Sequence, residues 1–185
     1  MKFDLHKATD GFLMLLCVCL SVVNWHLLRD NDIWRGAAER RTRMFEAQVG
    51  TRAPQIFGLD DRGNKVVVDF GSGGKKTVLL IFSTTCGVCD QNWPTWQQMM
   101  RDADKNTVRF VSITLFPTIP QEYIHRHRLH DFPLITELDP QNIIDYHFEL
   151  VPQTIIIGST GTIAGVWTGL LNGERLSEVR RALSM

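Results

Sequence analysis

Residues 77–100 have the sequence TVLLIFSTTCGVCDQNWPTWQQMM, in which an apolar run leads through two cysteines into a more polar segment. The apolar run is short and aliphatic, which predicts a buried strand over 77–83 at the centre of a sheet. The segment 91–100 has helical character. Cys86 and Cys89 therefore lie where a strand passes into a helix.

Two cysteines at such a junction are suited to redox chemistry. The Cys86 thiol would lie at the helix N-terminus, where unpaired backbone N–H groups and the helix dipole favour a thiolate. Cys89 would lie one turn further along, close enough to attack a mixed disulfide formed on Cys86. A Cys-x-x-Cys pair can also be half of a zinc site. The remaining cysteines, Cys17 and Cys19, lie in an apolar N-terminal segment, so the sequence favours a redox dithiol over a metal site.

Length and composition exclude several classes of protein. The chain has 185 residues and 44% hydrophobic content, which predicts one domain of ordinary size with an appendage. Its formal net charge is zero, so no nucleic-acid partner is expected. Four cysteines are too few for a disulfide scaffold, and they do not decide the redox compartment.

The appendage has the composition of a membrane anchor. Gly11 to Leu28 contains no charged residue in 18, and as a helix it would be about 27 Å long, enough to cross a bilayer core. No small-x-small cleavage site follows closely, so an uncleaved anchor over 11–28 is favoured over a secretory signal. Residues 1–10 then form an N-terminal tail. The apolar residues of 29–48 recur at helical spacing between arginines, which predicts an amphipathic linker.

The charges beside this segment bear on its orientation. Lys2 and Lys7 precede it, whereas five arginines follow it: Arg29, Arg35, Arg40, Arg41 and Arg43. A positive-inside count therefore places the globular part in the cytoplasm.

The sequence pattern of residues 49–185 predicts an α/β domain. A turn-rich stretch, 60–64, separates apolar runs at 56–59 and 66–68, which predicts an N-terminal β-hairpin. Beyond the central strand, further strands are predicted over 108–114, 154–157 and 162–167, and helices over 121–130, 139–148 and 174–183. Strands that alternate with helices and end in a hairpin and a helix predict a sandwich around a mixed sheet.

This order, with Cys-Gly-Val-Cys at the start of the first main helix, resembles the thioredoxin fold. Within that superfamily, 49–183 resembles the membrane-anchored TlpA/ResA-type thiol-disulfide oxidoreductases. The matching stretches are Val49-Gly50 with Ala53-Pro54 and the Asp61-Arg62-Gly63-Asn64 turn, Phe132-Pro133-Leu134 before Asp139, and Val151-Pro152-Gln153-Thr154 ahead of Ile155-Ile156-Ile157, Gly161 and Gly169. The resemblance implies a thioredoxin-like fold, with a mixed central sheet flanked by helices, behind a single transmembrane helix.

The resemblance also implies the active site. The Val151–Pro152 peptide bond is expected to be cis and to lie beside the Cys86 sulfur. Because proline has no N–H and a cis bond would expose neighbouring backbone groups, an extended substrate could pair there. The expected catalytic residues are Cys86 and Cys89, as a redox-active disulfide, and the expected substrate-binding residues are Val151 and Pro152. No cofactor and no metal are expected.

The implied partners are disulfides of protein substrates, a membrane electron donor, and the membrane itself through Gly11 to Leu28. The implied location is the cell (inner) membrane, as a single-pass protein with an extracytoplasmic, periplasmic domain. That orientation conflicts with the count of arginines, and the sequence leaves the conflict open. Nothing in the sequence names the substrate.

Several residues depart from the family pattern. Thr85 stands where tryptophan usually precedes the first cysteine, and Asp90 replaces a common basic residue after the second. Leu80 stands where thioredoxin has a buried acid. Gly87 and Val88 offer no histidine cation to stabilise a thiolate, and such stabilisation is what makes a strong oxidant. The sequence therefore favours a reductant, used in the maturation of exported or redox proteins.

Three alternatives remain. A thiol peroxidase would resemble Pro-x-x-x-Thr/Ser-x-x-Cys, in which Ser83 matches the hydroxyl but Leu79 replaces the proline. A copper-delivery chaperone could use the two thiols with His125, His127 and His130, although such chaperones usually space their cysteines by three residues. We predict that these histidines lie on a solvated helix face. The third alternative is a partner-binding protein in which the thiols are incidental.

Overall fold

The computed structural model describes residues 13–29, 47–116 and 118–184. The chain divides into two units, 1–44 and 45–185. In the first unit, residues 13–29 form helix α1. Across the described ranges, no helix has both the length and the apolar character needed to cross a membrane. The predicted tail lies outside the described residues, as do parts of the predicted anchor and linker, and these segments stay predictions.

The second unit alternates strands and helices as predicted. In chain order its elements are β1 (Ile56–Leu59), β2 (Lys65–Val68), β3 (Lys76–Phe82), α2 (Gly87–Asp102), β4 (Val108–Thr114), α3 (Gln121–His127), a 3₁₀ turn (Leu129–Asp131), β5 (Leu134–Ile135), β6 (Glu137–Leu138), α4 (Pro140–Tyr146), β7 (Gln153–Ile157), β8 (Ile163–Thr168) and α5 (Gly173–Ser184).

The strands form two sheets. The larger has the order β5-β4-β3-β7-β8, in which β3 pairs in parallel with β4 and antiparallel with β7. This is the predicted mixed sheet, and with the helices on it the fold is thioredoxin-like. The predicted hairpin is also present, with Ile56 opposite Val68, and β6 extends it into a three-stranded sheet.

Strand β3 is buried on both faces, as its continuous apolar sequence predicts. Val78, Leu80 and Phe82 pack in one cluster with residues of α2, whereas Leu79 and Ile81 pack in a second cluster. The alternation follows from the two-residue period of a strand. The first cluster holds α2 against the sheet, and this contact places the start of α2 beyond the end of β3.

The structure departs from the sequence predictions at a few boundaries. The helix predicted over 121–130 ends at His127, because Arg128 adopts a left-handed conformation with φ of 54°, and a 3₁₀ turn follows. Helix α2 begins at Gly87 with Cys86 as its N-cap, as the predicted position of that thiol at the helix N-terminus requires, and it ends at Asp102, two residues beyond the predicted helical segment 91–100. The two-residue strands β5 and β6 were not predicted, since so short a stretch shows no periodicity.

Candidate active site

Cys86 and Cys89 form a disulfide at the start of α2, with their Cα atoms 5.2 Å apart. Cys86 is the N-cap residue of the helix, and its Sγ accepts a hydrogen bond of 3.2 Å from the Cys89 N–H. Cys86 is partly exposed, whereas Cys89 is fully buried. In the reduced protein, therefore, the accessible sulfur is also the one that faces a backbone donor, which favours a thiolate there.

The Val151–Pro152 peptide bond is cis, as the resemblance implies. The Val151 carbonyl oxygen lies 3.8 Å from Cys86 Sγ. Pro152 is buried, while Val151 is partly exposed. The structure thus brings together the four predicted site residues at one edge of the sheet, and their roles in a reaction stay predictions.

Buried side-chain hydrogen bonds join α2 to strand β7, which begins directly after Pro152, and to the segment after β8. The Trp96 indole N–H donates a hydrogen bond of 2.9 Å to the Thr154 hydroxyl on β7. The Asn92 side chain joins α2 to the segment after β8, where its amide nitrogen donates to the Gly169 carbonyl and its oxygen accepts from the Leu171 N–H. Asn92 and Trp96 were not among the residues predicted for the site. Asn92 and Trp96 follow Cys89 by three and seven residues, which places all three on one face of the helix. This spacing is the sequence signal that could have identified them.

Leu80, which stands where thioredoxin has a buried acid, offers no carboxyl group to the cysteines. Leu80 and Cys89 are both fully buried and belong to the same apolar cluster. Apolar surroundings favour the neutral thiol over the thiolate at Cys89. The two cysteines of the reduced pair therefore differ in both accessibility and electrostatic environment.

Asp90, directly after Cys89, faces a buried histidine. Its Oδ1 lies 3.6 Å from His127 Nε2, and the His127 ring stacks on Trp93 with ring centroids 4.9 Å apart. Burial lowers the pKa of His127, although the Asp90 carboxylate opposes this shift. Next to it, the Tyr123 hydroxyl accepts a hydrogen bond of 2.8 Å from the Trp93 indole N–H, and burial raises the pKa of Tyr123.

The prediction that all three histidines lie on a solvated helix face is wrong for His127. Helix α3 turns Tyr123, Ile124 and His127 towards the core, so this imidazole is buried, and only His125 and His130 are exposed. Their rings lie 6.0 Å apart. Among the described residues, no three potential metal ligands converge. The copper-delivery alternative therefore has no structural support from these histidines.

In the peroxidase-like pattern, the hydroxyl residue Ser83 is hydrogen-bonded within its own loop, and Leu79 stands in place of the proline. Ser83 is buried, and its hydroxyl accepts a hydrogen bond of 3.2 Å from the Thr85 N–H. Leu79 packs in the cluster on the other face of the sheet. The Ser83 hydroxyl is thus used within the loop that leads to Cys86, and nothing in this geometry favours peroxide chemistry.

Comparisons with known proteins bear on the family and the fold of this chain. A family model described as the AhpC/TSA family matches residues 49–166. Sporulation thiol-disulfide oxidoreductase A of Bacillus subtilis (strain 168) is 22% identical over 110 residues, which cover 57% of this chain and 66% of that protein. The match thus spans slightly less than two thirds of that relative.

Solved structures show the same fold. A protein of Chlorobium tepidum assigned as the thiol:disulfide interchange protein DsbE superposes with a TM-score of 0.59 at 19% identity, covering 74% of this chain and 99% of that one. The thioredoxin domain of a thiol-disulfide oxidoreductase from Bacteroides vulgatus superposes with a TM-score of 0.52 at 20% identity, covering 74% and 98%. At these identities, the superpositions concern the fold.

Proposed function

The chain belongs to the AhpC/TSA family, and from this premise we propose that it is a thiol-disulfide oxidoreductase of the membrane-tethered TlpA/ResA type. One observation carries the proposal. The partly exposed Cys86 sulfur, in a disulfide with the buried Cys89, lies 3.8 Å from the carbonyl oxygen of Val151 at a cis-proline. A disulfide that served only stability would need neither an accessible sulfur nor a partly exposed residue ahead of a cis-proline beside it.

The reaction is dithiol–disulfide exchange. The Cys86 thiolate attacks one sulfur of a substrate disulfide, forming a mixed disulfide and releasing the other substrate sulfur as a thiolate, which takes up a proton. Cys89, after losing its proton, attacks Cys86 Sγ, closes the Cys86–Cys89 disulfide and releases the second substrate thiolate. The substrate disulfide gains two electrons, and the protein dithiol loses two.

The backbone beside Cys86 supplies a docking edge for the substrate. Val151 is partly exposed next to the sulfur, and its backbone groups can pair with an extended segment on either side of a substrate cysteine. Pro152 contributes no N–H that could compete for the thiolate. The substrates are accordingly proteins with disulfides in extended, accessible segments.

The proposal also includes the direction of disulfide exchange and the location of the protein. Gly87 and Val88 supply no cation that would stabilise the reduced form, which supports a reductant. A membrane electron donor would then regenerate the dithiol. We place the protein in the cell (inner) membrane, anchored once through 11–28, with its domain on the extracytoplasmic side. Reporter fusions at the C-terminus test that orientation.

The activity itself is tested by trapping. In the Cys89→Ser variant, the mixed disulfide on Cys86 cannot be resolved, so covalent complexes with substrate proteins should accumulate in membranes and disappear on reduction. The Cys86→Ser variant is the matched control and should form none, provided that both variants also carry Cys17→Ser and Cys19→Ser to remove the exposed thiols of α1. Complexes absent from both variants, or equally abundant in both, would contradict the proposal.

A further inference from the structure

Asn92 is completely buried, yet both ends of its side-chain amide are hydrogen-bonded. Its nitrogen donates to the Gly169 carbonyl oxygen at 3.0 Å, and its oxygen accepts from the Leu171 N–H at 2.8 Å. Both partners are backbone groups of the segment between β8 and α5. Since an isolated buried amide is costly, this bridge is a specific link between that segment and α2.

The linked segment in turn contacts the cis-proline. The Gly169 N–H donates a hydrogen bond of 2.7 Å to the Pro152 carbonyl oxygen. Gly169 has φ of 93°, a left-handed conformation that favours glycine and in which its N–H and its C=O serve different partners. A continuous chain of contacts therefore runs from Asn92 on the cysteine helix, through Gly169, to Pro152.

We propose that Asn92 is a positioning residue that sets the gap between Cys86 and the Val151–Pro152 backbone. This inference rests on the proposed exchange of disulfides with protein substrates. Cys86 lies at the start of the helix that carries Asn92, and Val151 precedes the proline at the other end of the contact chain. The amide thus helps to fix the Val151 backbone relative to the Cys86 sulfur, the two groups that an extended substrate must meet, and substrate alignment at Cys86 depends on it.

The chemistry of an amide is required at this position. Aspartate has the same shape and could accept from the Leu171 N–H, but its carboxylate would repel the Gly169 carbonyl instead of donating to it. Alanine removes both hydrogen bonds. Either change should free the segment that supports Pro152 while leaving Cys86 at its helix terminus.

The test compares two reagents that release the same leaving group. In the full chain with Cys17, Cys19 and Cys89 replaced by serine, Cys86 is the single thiol. It is reacted with 2,2′-dithiodipyridine, and separately with an extended peptide whose one cysteine carries a thiopyridyl disulfide. Both reactions displace 2-thiopyridone from a disulfide sulfur, so one absorbance measures both rates. Because each uses the same thiolate, the ratio of the rates is independent of how much thiolate is present.

We expect Asn92→Ala to slow the peptide reaction on the order of tenfold, as loss of substrate alignment does, and to change the dithiodipyridine rate by less than about twofold. Asn92→Asp should also lower the ratio of the peptide rate to the dithiodipyridine rate. This variant tests the proposal if Asn92→Ala does not fold. The matched control is Asn142→Ala. Asn142, on α4, is also buried and bridges two backbone groups, the Phe57 N–H in β1 and the Gln55 C=O directly before β1. Its loss should leave the ratio unchanged.

An equal slowing of both reagents by Asn92→Ala, or an equal fall of the ratio in Asn142→Ala, would overturn the positioning role. A parent protein whose Cys86 reacts with dithiodipyridine but not with any peptide disulfide would instead overturn the proposed function, and the inference with it. The two failures are therefore distinguishable in one data set.

Discussion

The imidazole of His127 stacks on the indole of Trp93, with ring centroids 4.9 Å apart and an angle of 23° between the rings. This contact buries a titratable ring between α2 and α3. The ring also faces Asp90, the residue directly after Cys89. The charged or titratable groups that face it are Asp90 on α2, and Tyr123 and Arg126 on α3. Because this imidazole is buried between the two helices, we expect the stability of the folded protein to depend on pH.

Burial lowers the pKa of His127, so the folded protein holds it neutral at pH values where the unfolded chain would bind a proton. The stability it contributes is present above the ordinary histidine pKa of about 6.5 and is lost as the pH falls through that value towards the lower folded pKa. We expect His127→Phe, which keeps an aromatic ring on Trp93, to reduce this loss between pH 7 and pH 5. Urea unfolding followed by tryptophan fluorescence measures it.

The exposed His125 is the matched control for this prediction. His125→Phe should leave the dependence of unfolding free energy on pH as it is in the unmodified chain. Parallel pH curves for the His127→Phe variant and the unmodified protein would contradict the assignment.

The hydrogen bond between Trp96 and Thr154 should couple α2 to β7 energetically. Both residues are buried, so Trp96→Phe leaves the Thr154 hydroxyl without its partner and should lower the free energy of unfolding by about 1–3 kcal/mol. Thr154→Val should have an effect of similar size. The double variant should be more stable than the sum of the two single losses predicts, because it leaves neither polar group unpaired. Strictly additive losses in urea unfolding would count against the coupling.

Gly58 should be intolerant of any side chain. A Cβ atom there would lie 2.5 Å from the carbonyl oxygen of Glu137 on β6 and 2.6 Å from Cγ2 of Ile135 on β5. We expect Gly58→Ala to destabilise the protein by about 1–3 kcal/mol. Gly73→Ala, where a Cβ would meet no atom within 4 Å, is the control and should change thermal unfolding little. Similar melting temperatures for the two variants would refute the close approach.

The two cysteines of the reduced protein should react at very different rates. Cys86 is partly exposed and faces a backbone donor, whereas Cys89 is fully buried. Limited treatment with iodoacetamide, followed by peptide mass mapping, should therefore find label on Cys86 well before Cys89. Simultaneous labelling of a folded, reduced sample would mean that Cys89 is accessible, and would remove the basis for assigning it the resolving role.

The local pattern of apolar and turn residues in the sequence was sufficient to predict most of the fold. The apolar sequence of β3 predicts burial on both faces, and the hairpin of β1 and β2 follows from the turn-rich residues between them. Strand β4 has its predicted bounds, 108–114. These features depend on residues close together in the chain, where side-chain periodicity and turn chemistry act directly.

The remaining features depend on partners distant in the chain. Nothing near Asn92 in the sequence indicates that its amide bonds to Gly169 and Leu171, 77 and 79 residues away. The histidine-containing segment looked solvated, yet its helix turns His127 onto Trp93. Burial of a polar side chain is decided by which surface meets its helix, and that surface is assembled from the whole sheet. The amino-acid order was thus enough to locate the sulfur pair and the strands around it, whereas the packing of α2 against its neighbours decided which polar groups support that pair.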